Sequence, residues 1–170
     1  SDVYKRQLRY RGARALSEFR LAKLLPELKK AHPAVRSVAA EFWHFVDAEA
    51  EPSPEGQRVL EQLLRYGTPP QEAGARDTPF LVVPRLGTIS PWSSKATDIA
   101  HNCGLGGVRR IERGILYSVS SNEKIDRERI GALIHDRMTE SVLASLDAAG
   151  DLFRQVAPRA QVADGPPDVG

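Results

Sequence analysis

The stretch VVPRLGTISPWSSKATDIAHNCGLGGVRRIERGILY, residues 82–117, reads as the end of a strand, a turn, a helix and a second, longer strand. The β-branched run stops at Pro84, and Gly87 allows the chain to turn. Ser90-Pro91 supplies an N-cap followed by a first-turn proline, and Cys103-Gly104 ends the helix. From Val108 to Ser120 the apolar residues alternate with period two, as in a strand with one face in a core.

Working outward, Phe80 opens the first strand, which runs to Pro84. The long strand is followed by a helix from about Asp126 to Arg137 and a last strand near Glu140 to Ser145. The same order precedes it: a strand around Leu8 to Gly12, then a helix opened by Ser17 with Phe19, Leu24, Leu25 and Leu28 on its apolar side and a kink at Pro26. A long strand from Val35 to Asp47 comes next, then a helix from Ser53-Pro54-Glu55 to Tyr66-Gly67. The loop Thr68 to Thr78 joins the halves.

The halves register at an offset of 73 residues, which places Leu8 on Leu81, Ser17 on Ser90, Phe19 on Trp92 and Ser53 on Asp126. Val38, Phe42, His44 and Val46 share one strand face in the first half, and Ile111, Ile115, Tyr117 and Val119 take the same places in the second. The expected fold is α+β: a tandem duplication of a strand-helix-strand-helix unit, its sheets carrying helices on one face. The opposite faces present Trp43, Phe45 and Leu116, more apolar than a solvated face needs, and point to contact with another sheet or domain.

With 170 residues, 41% hydrophobic and 27% charged, the chain suits one soluble domain with a core. No apolar run approaches the roughly 18 residues of a membrane span, and no secretory leader is recognisable, so the expected location is the cytoplasm. A single cysteine, Cys103, excludes an intramolecular disulfide. His32, His44, His101 and His135 show no paired ligand spacing, so no metal site is expected. The net charge of +2 comes from the first 14 residues; the remainder stands at −2, which argues against nucleic acid as a partner. Residues 1–7, SDVYKRQ, read as a non-native leader, residues 8–153 as the domain, and residues 154–170, rich in Pro, Gly and Asp, as the start of a linker.

Chemistry concentrates where residues 85–95 enter their helix. Helix N-termini offer unpaired N–H groups and a positive dipole end, so Arg85, Thr88, Ser90, Ser93 and Lys95 are candidates to hold a phosphate or carboxylate. In the plainer alternative Ser90 is only an N-cap, and Arg85 and Lys95 are solvated charges. Trp92, Ala96, Ile99, Ala100 and Cys103 form the expected buried stripe, with Ser94, Asp98 and His101 opposite. Asp98 and His101 read either as an acid/base pair or as a surface hydrogen bond. Cys103, at the C-terminal end of the helix, is poorly placed for activation as a nucleophile. Arg109, Arg110 and Arg113 are interrupted by Glu112 and read as solvated or contact residues, and His44 as a satisfied buried histidine.

The run from Val82 to Tyr117 resembles the N-terminal domain of the large, single-chain phosphoribosylformylglycinamidine synthase. Weaker likeness extends to Arg11–Leu25, Ala40–Ala50, Leu63–Gly67 and His135–Leu143. Pro26 and the first seven residues depart from the pattern. The resemblance implies a parent ligase that converts formylglycinamide ribonucleotide, ATP and glutamine into formylglycinamidine ribonucleotide, ADP, phosphate and glutamate. It implies ATP and magnesium in a synthetase domain and a Cys-His-Glu triad in a glutaminase domain, with no catalytic or cofactor residue carried onto this region. The domain itself is expected to be a silent scaffold like a fused pair of the small subunit of the multi-subunit enzyme, its partners being the synthetase and glutaminase domains, which it organises together with the ammonia path between them. The competing expectation is a stand-alone module binding an anionic metabolite at Ser90–Lys95.

Overall fold

The structure is a computed structural model that describes residues 6–72, 74 and 76–154. The chain order is β1 (Arg6–Arg14), α1 (Glu18–Ala31), β2 (Val35–Ala48), α2 (Pro54–Leu63), β3 (Thr78–Pro84), α3 (Pro91–Asn102), β4 (Val108–Ser121), α4 (Arg127–Ile134), β5 (Glu140–Leu143), a 3-10 turn (Leu146–Gly150) and α5 (Asp151–Arg154). The fold is α+β, as expected. The strands of the two halves join edge to edge into one antiparallel sheet, ordered β1-β2-β4-β3-β5, in place of separate sheets. The long strands β2 and β4 pair along nearly their whole length, which leaves no reason for the halves to stack. No described helix is long and apolar enough to cross a membrane.

Local cap chemistry places all four main helices. Ser17, Ser53, Ser90 and Asp126 each accept the backbone N–H three residues on, from Arg20, Gly56, Ser93 and Arg129. Two helices stop earlier than expected. In α2 the Arg65 N–H bonds Gln62 O, a 3-10 tightening that leads into Gly67 at φ +80°. At the end of α4 the His135 ring bonds Gly131 O at 2.6 Å, occupying the carbonyl that a further helical N–H would use.

The 73-residue offset holds for the central strands and the helix caps but not for the outer strands. Leu8 pairs with Val46, whereas Leu81 pairs with Leu116 and it is Thr78 that meets Val119. The physical reason lies in the connection to the helix, which is Arg85–Ser90 after β3 but only Ala15–Ser17 after β1. Three extra residues slide β3, and an odd slip exchanges faces. Leu8 therefore packs on the helix side and Leu81 on the other.

The helix side holds two clusters. Leu28, Val35, Phe80, Val119 and Ile130 lie with α1 and α4, and Val46, Leu60, Ala100 and Ile111 with α2 and α3. Phe19 does not join the apolar stripe of α1: it is 69% exposed, with Lys23 5.0 Å from its ring centroid. Leu21, Leu24, Leu25 and Leu28 keep the helical spacing of the core stripe, and Phe19, two residues before Leu21, points away from it. Cys103 is likewise exposed, because it is the C-cap and lies past the last turn that Ala100 buries.

Candidate functional site

On the sheet face opposite the main helices, the 3-10 turn and α5 lie over Phe45, Leu81 and Val83, adding Ala149 and Leu152 to a third cluster. Phe45 is 3% exposed, covered by the chain's own residues. Trp43 and Leu116 remain half-buried at the margin of that cluster. The Trp43 indole donates to Glu41 Oε2 at 2.7 Å, and Arg11 grips the same carboxylate with two N–H groups at 2.9 and 3.0 Å.

The five candidate anion contacts are divided by the fold. Arg85, Thr88 and Ser90 line a cleft of about 490 Å³, together with Phe42, Trp92, Arg113 and Met138. Lys95 is exposed on another side of α3, beside Tyr66, Trp92 and Ile99 in a separate groove. Ser93 is fully buried, where its hydroxyl donates to Ile111 O at 2.5 Å and accepts from Arg110 Nε at 3.2 Å. Thr88 donates to Arg85 O at 2.6 Å.

The N-terminus of α3 already faces a carboxylate of the chain itself. Glu112, wholly buried, accepts from Ser90 Oγ at 2.9 Å and from the Arg113 N–H at 2.9 Å on one oxygen; the other accepts from Arg110 Nη2 at 2.6 Å, with the Ser90 N–H at 3.5 Å. Arg110 also donates to Leu152 O at 3.0 Å and Thr88 O at 3.2 Å, and stacks on Phe153. One buried ion pair thus ties together the start of α3, β4 and the C-terminal cover of the sheet. Arg110 and Glu112 stand two positions apart on one strand, but the groups they bind lie up to 42 positions away, which spacing along the chain does not reveal.

The polar groups along α3 serve the sheet edge. Below Ile115, β4 is paired with no strand on the β3 side among the described residues. Ser93, Thr97 and His101, one turn apart, fill the gap: Thr97 Oγ1 accepts the Ile111 N–H at 3.0 Å, and His101 Nε2 donates to Val108 O at 2.6 Å. This use of His101 separates it from Asp98, which is exposed. The strand edge is a strong set of donors and acceptors, and the helix satisfies it.

His44 is fully buried and satisfied. Its Nδ1–H points to Tyr10 O at 3.4 Å, so Nε2 accepts from the Tyr66 hydroxyl at 2.7 Å, and that hydroxyl accepts from Arg113 Nη1 at 3.1 Å. Burial lowers its pKa from 6.5 to about 4, partly offset by the Tyr10 carbonyl and reinforced by the nearby Arg113 charge. Among the described residues no three His, Cys, Asp or Glu side chains come together as a metal site. Residues 41–153 match the model of a protein family described as formylglycinamide ribonucleotide amidotransferase, N-terminal.

Proposed function

The chain belongs to the formylglycinamide ribonucleotide amidotransferase N-terminal family, a domain of the purine-biosynthesis enzyme phosphoribosylformylglycinamidine synthase, and we propose that its work there is to hold the catalytic domains in place. The observation that carries this reading is the use of its polar side chains. Glu112, Arg110, Ser90, Ser93, Thr97, His101 and His44 are engaged with one another, with the backbone or with the Tyr66 hydroxyl. They build a rigid sheet, and a rigid sheet with apolar margins suits a part that positions others.

In this account the synthetase domain supplies the ATP and magnesium chemistry, and the glutaminase domain supplies ammonia from glutamine. No step of the ligase reaction is assigned to this domain. Trp43 and Leu116 are the half-buried apolar pair offered to a neighbouring domain, Phe45 being covered already. The enzyme works in the cytoplasm, and the ammonia path runs between the domains that this one orders.

The test is association in trans. The chain, mixed with the synthetase and glutaminase domains of a family member made without their own N-terminal domain, is expected to co-elute with them as one complex. Trp43→Ser with Leu116→Ser is expected to weaken that complex. Product formation by the isolated chain, or no association at any concentration, would contradict the proposal.

A further inference from the structure

We propose that the cleft between β3, the start of α3 and residues 138–140 binds a carboxylate borne on an apolar body, with the Arg113 guanidinium as its receptor. The proposal is defined by this chain alone and does not rest on the scaffold reading.

Three extra residues between β3 and α3 open this cleft of about 490 Å³, within the size range of small-ligand sites, about 300–1,000 Å³. The paired residues Phe42 and Ile115 form part of its lining, and Val82, Ile89 and Met138 add further apolar surface. Ile89 is 40% and Met138 75% exposed, which leaves an apolar rim to be covered.

Arg113 is held as a receptor is held. Its guanidinium carbon lies 4.3 Å from the Phe42 ring centroid and 4.6 Å from that of Trp92, so aromatic rings flank the cation. Nη1 is fixed by the Tyr66 hydroxyl at 3.1 Å, and that hydroxyl by His44. Among the described residues no carboxylate forms an ion pair with this side chain. Its neighbour Glu112 gives both oxygens to other donors, and Glu140, the other acid in the lining, accepts the Asp136 N–H at 2.9 Å. The Nε and Nη2 edge of an arginine presents two parallel N–H groups that match a carboxylate. Arg85, exposed at the rim and held through Nη1 to Met138 O at 3.3 Å, adds a second positive charge. A cation oriented without an acid, beside an apolar wall, fits an oxyanion with a hydrocarbon attached.

Trp92 lies against the site, so its emission in a Trp43→Phe background reports occupancy. The probes are acetate, hexanoate, hexanamide and inorganic phosphate at constant ionic strength, with an acetylated Leu-Glu-Leu amide and its Leu-Gln-Leu counterpart. Expected is saturable binding of hexanoate, tighter than acetate or phosphate, and weaker by about tenfold or more for hexanamide. Arg113→Lys is expected to lose about tenfold, since lysine lacks the two-pronged edge. Should Arg113 variants fail to fold by circular dichroism, Met138→Asp at the exposed rim is expected to weaken hexanoate by charge repulsion. Tighter binding of the Glu peptide than of hexanoate supports the proposal with a protein side chain as the source of the carboxylate. The reverse order supports it with a free metabolite. No saturable response to any carboxylate, equal binding of hexanamide, or binding unchanged in a folded Arg113→Lys chain would overturn it.

Discussion

Phe42 and Ile115 are paired directly across the two central strands, and each is the other's counterpart in the 73-residue repeat. A position that pairs with its own equivalent marks a local two-fold axis. The flanking pairs obey it: Val38 meets Val119 and Val46 meets Ile111, and the second pair is the first with its halves exchanged. α1 packs with α4 and α2 with α3, each pair taking one helix from either half. A duplicated chain thus builds within itself the interface of a symmetric dimer.

Near the axis the outer strand β1 lies so close to the side chains of β2 that it has no room for added bulk. A Cβ on Gly12 would lie 2.5 Å from His44 Cε1 and 3.1 Å from Phe42 Cβ. Gly12→Ala is expected to destabilise by about 1–3 kcal/mol or more in urea unfolding, because the buried imidazole is held on both nitrogens. Gly104→Ala meets no atoms and is expected to cost less, its penalty arising from a φ of +89°.

His44 gives stability a dependence on acid. The unfolded chain binds its proton at the ordinary pKa of 6.5, whereas the folded chain binds it only near 4. Stability is full above the upper value and declines as pH falls through that window, by about 3 kcal/mol in all. Urea midpoints from pH 7 to pH 4 are expected to follow this slope, and to flatten in His44→Gln. An unchanged slope in that variant would place the titration elsewhere.

Removing Arg110 leaves Glu112 buried and charged without its partner. Arg110→Ala is expected to cost about 3–5 kcal/mol, and to loosen residues 146–154 by freeing Leu152 O. Increased dye binding over Phe45, Leu81 and Val83 would report the loss of cover. Replacing both members by apolar residues is expected to cost less than the single change.

Thr97→Val withdraws the acceptor of the Ile111 N–H while keeping the side-chain shape. The expected cost is about 1–3 kcal/mol, with faster amide exchange at Ile111 than in the parent chain and little change at Val119. Equal protection at Ile111 would mean that the helix does not close this edge.

What could be read from the amino-acid order was the local part of this design. Ser17, Ser53, Ser90 and Asp126 announce their helices because a cap is made within three residues. The alternation of Val38 to Val46 and of Ile111 to Val119 shows which face is buried. The slip of β3 was not legible, since Leu81 chooses between Leu116 and Val119 only once α3 has docked. The cover over Phe45 comes from Leu146, Ala149, Leu152 and Phe153, in a run too short to show a period. Around the cleft, Arg85, Thr88 and Ser90 were found by their place before a helix. Arg113 reads in the sequence only as one of a charged group, because its aromatic neighbours Phe42 and Trp92 lie 71 and 21 residues away.

The most direct measurement of the proposed role is the ratio of glutamine hydrolysed to formylglycinamidine ribonucleotide formed by the synthetase and glutaminase domains of a family member, with and without this chain in trans. The chain alone is expected to form no product, and its addition to bring the ratio down towards one as hydrolysis and synthesis become coupled. A ratio already at one without the chain, or unmoved by it at saturating concentration, would contradict the claim that this domain holds the two catalytic domains in working order.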